Sequence, residues 1–320
     1  MSALKKIERD QHAAEFAAVT ALLDQLTASD IITRMGLEAR RDEIAAAIAV
    51  MGDEAQATTA SAALFFGGKP VAGSRGIESE FGGNAVTKFQ DLVAKLMADE
   101  AGALGQRGVV PNKGAATLHI TNVVRGSFGF LFEEMEPQGQ AIDTSLKAAV
   151  DSAAQLLGAF GETSEDRFRA AVENIDQRVL TTAQEFFSLM RMSGATFRLL
   201  AGEDDRSFGP DAVSRAAERA SSTRVTEVEE QIVGQLGGFL PDAHQFEFRV
   251  EVQGTLKGGV DKSIPSSVLA EMNRTMVNVN SVATFKVKRV LRDGEVVREN
   301  LLMLRLEPRQ ATPEAEPVAP

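Results

Sequence analysis

Apolar residues recur at steps of three and four over the first fifty positions, which predicts a pair of helices. The first should run from about Leu4 to Leu26, and the polar run at 27–30 offers an N-cap for the next. The second helix has Gly36 as an interruption and carries on one side Ile31, Met35, Ile44, Ile48 and Met51. We therefore expect a helical hairpin over residues 1–54, which either packs on its own domain or pairs with another chain.

Alternating segments separated by helical periods follow, and they predict a central α+β domain over residues 55–222. Three β-hairpins are expected, with strands at 62–66 and 69–71, 118–123 and 128–132, and 195–200 and 206–208. Helices are expected at 84–98, 143–160, 164–174, 178–192 and 210–220. The domain should therefore be a sheet built from hairpins and covered by helices.

The last third of the chain is predicted to consist mostly of strands. Residues 223–308 read as three strands, a helix and two strands, the order of a five-stranded OB-like β-barrel, with an SH3-like or other small barrel as the alternative. In its second strand the apolar residues alternate with polar ones and should point inward: Phe246, Phe248, Val250 and Val252. Gly237–Gly238 and Gly258–Gly259 fit strand bends. Residues 309–320, rich in Pro, Ala and Glu, should form a disordered tail.

The amino-acid composition excludes several kinds of catalytic and metal-binding site. The 320 residues suffice for more than one domain, and the absence of cysteine excludes disulfides, thiolate catalysis and cysteine-ligated metals. His12, His119 and His244 lie too far apart for a His-rich metal site. The net charge is -11, and no apolar run approaches the roughly 20 residues that cross a bilayer. We expect a cytoplasmic protein with no membrane contact and no cofactor.

Residues 125–132, Arg-Gly-Ser-Phe-Gly-Phe-Leu-Phe, resemble the RNA-binding motif of RRM domains, in which exposed rings stack on bases. The sequence departs from that motif at Ser127, an extra residue, and at Glu133, where the final aromatic residue should fall. All three phenylalanines of the segment share one face of a strand: Phe128, Phe130 and Phe132. We therefore expect these rings in a core between sheet and helices.

Two groups of basic residues are the candidate binding residues. Lys69 and Arg75 flank the glycine-rich run 67–76 and could contact an anion or partner together with Arg125. This run is no Walker loop, because a proline follows the lysine and removes a backbone donor. Lys286, Lys288 and Arg292 lie on the fourth barrel strand, where they should face solvent. Residues 223–320 nevertheless contain 12 Lys and Arg against 14 Asp and Glu.

No local motif assigns catalytic residues or metal ligands. The acidic runs at 133–134, 203–205 and 229–230 fit solvated faces. The sequence therefore predicts a non-catalytic interaction or scaffold protein that self-associates or binds a protein partner through residues 1–54. Two alternatives remain. One is a nucleic-acid-associated accessory protein that binds through the OB-like barrel. The other is an enzyme whose carboxylates come together from distant positions.

Overall fold

The computed structural model describes residues 3–27, 29–51, 57–105, 107–124, 128–135, 142–173, 175–202 and 204–309. The architecture is α+β, as predicted, and the chain divides into two compact units. The first comprises residues 1–171 and 178–221, and the second comprises residues 172–177 and 222–320. Of the predicted tail, only Arg309 lies within the described residues.

Both predicted N-terminal helices form, with α1 at Ala3–Gln25 and α2 at Ile31–Met51. The predicted interruption of α2 at Gly36 is wrong, since the helix continues through it. A Cβ placed on Gly36 would have no atom within 4 Å, so no neighbour forces the backbone out of the helix. A solvent-facing glycine lowers helix propensity by about 1 kcal/mol relative to alanine, a cost that tertiary context routinely overrides.

The central sheet has five antiparallel strands in the order β2-β3-β1-β4-β5. Their bounds are β1 Ser61–Gly68, β2 His119–Val124, β3 Phe128–Glu133, β4 Ala195–Ala201 and β5 Asp204–Phe208. The predicted pairs β2–β3 and β4–β5 are confirmed.

The predicted hairpin between residues 62–66 and 69–71 is wrong. Beyond β1 the chain turns, and Val71 makes only an isolated bridge to Ile77. β1 lies instead in the centre of the sheet, between β3 and β4. Pro70 has no N–H to donate to a strand ladder, and both edges of β1 pair with strands that are distant in sequence.

One face of the sheet carries an aromatic core that packs against helices. The helices of this region are α3 Ser79–Glu100, α4 Ser145–Gly161, α5 Glu165–Val172, α6 Gln177–Met192 and α7 Pro210–Ser222. Ring centroids of Phe89 and Phe132 lie 5.3 Å apart, as do those of Phe186 and Phe197. Phe132 is buried as predicted, whereas Phe128 and Phe130 are only half-buried.

Two arginines of α7 cap the C-terminal end of α4. The last carbonyls of a helix have no intrahelical donor and carry the negative end of its dipole. Arg215 donates to Gly161 O at 2.7 Å, and the buried Arg219 donates to Glu162 O at 2.5 Å. Arg219 also reaches a carboxylate oxygen of Glu165 at 3.2 Å. These bonds satisfy both the buried cation and the helix end, and they fix α7 to α4.

The C-terminal strands close into a five-stranded barrel in the order β6-β7-β8-β10-β9. The element bounds are β6 Thr223–Leu240, β7 Gln245–Val250, β8 Gly254–Val260, α8 Ser266–Thr275, β9 Asn280–Arg292 and β10 Glu295–Pro308. β8 and β10 are parallel, and the other neighbours are antiparallel. With α8 between the third and fourth strands, this is the predicted OB-like arrangement.

The barrel interior is apolar, and Phe246 and Phe248 point into it as predicted. The prediction for Val252 is wrong: β7 ends at Val250, and Val252 lies in the following turn with 95% of its surface exposed. At the first predicted glycine bend, the β6 register shifts between Leu236 and Gly238. A Cβ on Gly258 would stand 2.2 Å from Leu301 O on β10, so this glycine permits a close approach of two strands. A strand bend at Gly258–Gly259 stays a prediction.

Candidate functional site

The candidate functional site is the pair of helices α1 and α2, called the arm below. Only the first turns of α1 lie on the central sheet, where Ala3 and Ile7 are buried. They pack on the sheet face opposite the helices, against Ala63, Phe65, Leu131 and Leu200. The Ala3 N–H also donates to Ser61 Oγ at 3.0 Å. The start of α1 is therefore anchored to the sheet.

Further along, the two helices bury side chains chiefly against each other. The cluster at their contact has three buried members, Val19, Leu23 and Ile44. Half-buried apolar residues surround it: Phe16, Leu26, Leu37 and Ile48. Arg40 of α2 links the helices by donating to Glu15 of α1 at 2.7 Å. Helices of 23 and 21 residues thus share a small core. Because tertiary packing supplies most of the stability of helices in proteins, this small core gives the arm little stabilisation for its length.

The turn between α1 and α2 is fixed by hydrogen bonds. Thr27 donates to Asp30 Oδ2 from its backbone N–H at 3.1 Å and from its hydroxyl at 2.6 Å. These bonds hold the pKa of the Asp30 carboxyl below its ordinary value. Arg34 Nη2 donates to Leu26 O at 3.1 Å, which satisfies a carbonyl at the end of α1. These bonds tie the end of α1 to the start of α2.

Large apolar side chains are exposed beside the turn. Leu22 is 50% exposed, Ile31 63%, Met35 65% and Ile32 88%. We call these four residues the arm tip. Single exposed apolar residues are common on protein surfaces. Contiguous apolar patches larger than a few hundred Å², in contrast, mark interaction sites. The arm tip brings four large exposed apolar side chains to the last turn of α1 and the first turns of α2, more than isolated exposure would give.

The arm tip corrects one sequence prediction. The expected inner stripe of α2 combined Ile31 and Met35 with Ile44 and Ile48, but only the latter two pack in the arm core. The stripe of a straight helix drifts, because 3.6 residues per turn do not divide evenly into steps of three and four. The adjacent pair Ile31-Ile32 was the available signal, since neighbouring helix positions cannot both face α1.

The first predicted basic group lies after β1. Lys69 and Arg75 are exposed, and the Lys69 backbone N–H donates to Gly194 O at 3.1 Å. Arg125, the third member, lies outside the described residues. The turn therefore presents two cations to solvent, and whether they contact an anion stays a prediction.

The second predicted basic group lies on the outer face of β9, opposite acidic residues of β6. Lys286 pairs with Glu227 at 2.6 Å. Lys288 stands opposite Glu227 in the strand register, and Arg292 lies 3.9 Å from Asp293. The neighbouring Arg289 pairs with Glu230 and with Glu299, at 2.5 Å each. Lys286 and Arg289 thus belong to cross-strand ion pairs, and acidic residues also stand next to Lys288 and Arg292, so this face of β9 is not a uniformly positive groove.

The phenylalanine rings of the barrel are not available for stacking on bases. All four phenylalanines in 223–320 are buried: Phe239, Phe246, Phe248 and Phe285. On the outer face of β7, Glu247 pairs with Lys257 at 2.7 Å. Sequence-tolerant single-strand binding combines a basic groove with exposed rings. The outer surface of this barrel presents paired ions instead.

Acidic side chains from the three acidic runs take part in local bonds. Glu134 accepts from Ala60 N at 2.8 Å and from the Thr144 hydroxyl at 2.7 Å. Asp205 pairs with Arg198 at 2.6 Å, and these bonds hold the pKa of the Asp205 carboxyl low. Within the described residues, no group of three or more His, Asp and Glu side chains could hold a metal ion.

None of the described helices is long and apolar enough to cross a membrane. No protein family, no curated protein and no solved structure matches the chain.

Proposed function

We propose that the protein is a non-catalytic assembly component, or scaffold, that pairs with a second copy of itself through the arm. The observation that carries this proposal is the arm tip: four large apolar side chains exposed on a helix pair whose own core has three buried residues. Removing apolar surface from water contributes about 25 cal/mol per Å². A partner that covers the tip would supply burial that the arm lacks.

The size of the arm suits a second copy. A helix of 23 residues is about 35 Å long, and two helices side by side present a face about 20 Å wide. One such face is about 700 Å², close to the roughly 800 Å² that each partner contributes to a standard protein interface. Another arm has the same length and the same face.

The chemistry of the arm also permits pairing with itself. In an isologous dimer each patch meets its own copy, so an apolar tip is covered by apolar residues. Charges of both signs lie along α1 and α2, among them Lys5, Arg9, Glu15, Arg40 and Asp42. Two copies therefore do not bring together surfaces of a single sign.

Light scattering of the full chain tests the proposal. Ile32→Glu combined with Met35→Glu places carboxylates on the arm tip, at neighbouring positions of one helix. We expect the wild type to be a dimer or a larger multiple, and the double variant to lose a factor of two in mass. Val252→Glu introduces one carboxylate at an exposed valine outside the arm and should leave the mass unchanged. A monomeric wild type, or a double variant with the wild-type mass, would contradict the proposal.

Crosslinking can locate the contact, because the chain contains no cysteine. Single cysteines at Ser29, Met35 and Ala46 sample the arm from its turn to the far part of α2. A disulfide requires Cα atoms within about 7 Å, so only a position near the twofold axis joins its own copy. Crosslinking at Ser29 indicates arms that meet end to end, and crosslinking at Met35 or Ala46 indicates arms side by side. Failure of all three to crosslink counts against pairing through the arm.

A further inference from the structure

The two edges of the central sheet differ in how they are protected. Exposed edge strands invite pairing with other chains, and proteins commonly block them with charged residues. The edge strand β5 carries Asp204, Asp205 and Arg206 in succession. The other edge strand, β2, reads His-Ile-Thr-Asn-Val-Val and contains no Lys, Arg, Asp or Glu. One edge is thus protected by charge and the other is not.

β2 is also open to solvent. Residues 119–123 are all exposed, and β3 is the one strand of the described residues that pairs with β2. Among the residues that the structure describes, no backbone hydrogen bond from a loop or helix reaches the outer edge of residues 119–123. With respect to these residues, that edge presents N–H and C=O groups that another strand can satisfy.

A bulge at Thr121 places the two apolar side chains of β2 on the same face. Ile120 stands opposite Phe132 and Val123 opposite Phe130, with the register shift between Ile120 and Asn122. Without that extra residue, positions three apart would point to opposite faces. Ile120 and Val123 are 47% and 46% exposed, and they continue the row of Phe130 and Phe132 to the edge of the sheet. The open edge thus has an apolar side.

We propose that β2 pairs antiparallel with β2 of a second copy, which joins two five-stranded sheets into one continuous sheet. A twofold axis between Thr121 and Asn122 places Ile120 of each copy opposite Val123 of the other. Side chains directly opposite each other across two strands are close enough to interact, and β-branched side chains pack well on the pleated surface of a sheet. Because β2 carries no Lys, Arg, Asp or Glu, the axis brings none of these charges face to face, whereas the same operation on β5 would place its acidic residues close together.

This contact is independent of the arm, because it rests on a different surface. A chain with two isologous contacts assembles beyond a dimer, into a closed tetramer or a longer array. The two proposals can therefore fail separately.

Ile120→Lys combined with Val123→Lys tests the contact in the full chain. Lysine on an edge strand is tolerated in the monomer but opposes edge-to-edge pairing. By light scattering, we expect the wild type to be larger than a dimer and this variant to have half its mass or less. Combining it with the Ile32→Glu and Met35→Glu changes should give a monomer. Ser207→Lys, at an exposed position of the other edge strand, is the matched control and should keep the wild-type mass.

Amide hydrogen exchange supplies a second measurement. Amides of residues 119–123 that point outward should be protected at high protein concentration and should lose protection on dilution in the wild type. In the lysine variant they should exchange fast at every concentration. A variant with the wild-type mass, or edge amides with no dependence on concentration, would overturn pairing through β2 while leaving the arm proposal standing.

Discussion

The barrel buries its aromatic side chains within itself, whereas the arm leaves several of its large apolar side chains exposed. The barrel closes on itself, so that each strand has two neighbours and its four phenylalanines are buried. The arm consists of two long helices that share three buried residues and leave isoleucines exposed at their tip. Closure removes strand edges and encloses a core, whereas two helices alone have an outward surface that nothing within the pair can cover.

This difference locates where partners are to be sought. Charged residues on the outside of the barrel pair with one another across strands, as Arg289 does with Glu230 and Glu299. Groups already satisfied within the chain gain little from a ligand. Any contact that removes the exposed apolar surface of the arm tip from water lowers the free energy of the system. We therefore propose that a partner would change stability most at the arm.

The largest effect is expected in the barrel core. Phe248 is fully buried and its ring lies 5.7 Å from that of Phe285. Phe248→Ala should lower the free energy of unfolding by about 3 to 5 kcal/mol, because it leaves a cavity in a closed interior. Urea denaturation measures this. Val252→Ala is the matched control and should change stability by less than about 0.5 kcal/mol. Similar effects for both variants would refute the assignment of Phe248 to the core.

A smaller and local effect is expected in the arm. Ile44 is 1% exposed at the centre of the arm core, and Ile44→Ala should cost about 2 to 4 kcal/mol. Because its cluster contains residues of α1 and α2 only, the loss should be confined to these helices. In hydrogen exchange, amides of the arm should lose protection while those of the barrel keep it. Equal loss in both regions would show that the arm and the barrel unfold as one unit.

The same contrast explains what could be predicted from the sequence. Local patterns predicted both arm helices, the hairpins β2–β3 and β4–β5, and the inward face of Phe246 and Phe248, because each depends on residues close together in the chain. The pairing of β1 with β3 and β4 joins distant segments, and no local pattern encodes it. Exposure of Ile31 and Met35 depends on the rotation of α2 about its axis, which periodicity gives only approximately.

The cation Arg289 provides a pH-dependent test of the barrel surface. Its hydrogen bonds hold the pKa of the Glu230 carboxyl below its ordinary value of 4.5. Such a pair stabilises the protein above the unfolded pKa, and the contribution is lost as pH falls through the folded pKa. Arg289→Gln should therefore cost about 1 kcal/mol at pH 7, and its stability should approach that of the wild type as pH falls below 4.5 and through the lowered pKa of Glu230.

Arg305 is the control for this effect. It forms an ion pair with Glu307 at 3.6 Å, and both side chains are largely exposed. Arg305→Gln should change the unfolding free energy by only a few tenths of a kcal/mol at any pH. Thermal or urea unfolding across this pH range compares the two variants. A loss in Arg289→Gln that is the same at pH 3 and pH 7 would mean that the pair with Glu230 does not carry the effect.

The smallest expected effect is on nucleic acid binding. Because the barrel rings are buried and Lys286 pairs with Glu227, we expect no binding of a single-stranded oligonucleotide of about 20 nucleotides, even at low salt. Fluorescence anisotropy of a labelled thymidine oligomer measures this. Glu227→Gln removes the acidic partner of Lys286, and a gain of binding in that variant alone would show that the ion pair neutralises a latent cation. If the wild type binds the oligonucleotide, and if salt and Lys286→Gln both weaken that binding, the barrel rather than the arm is the region that binds a partner.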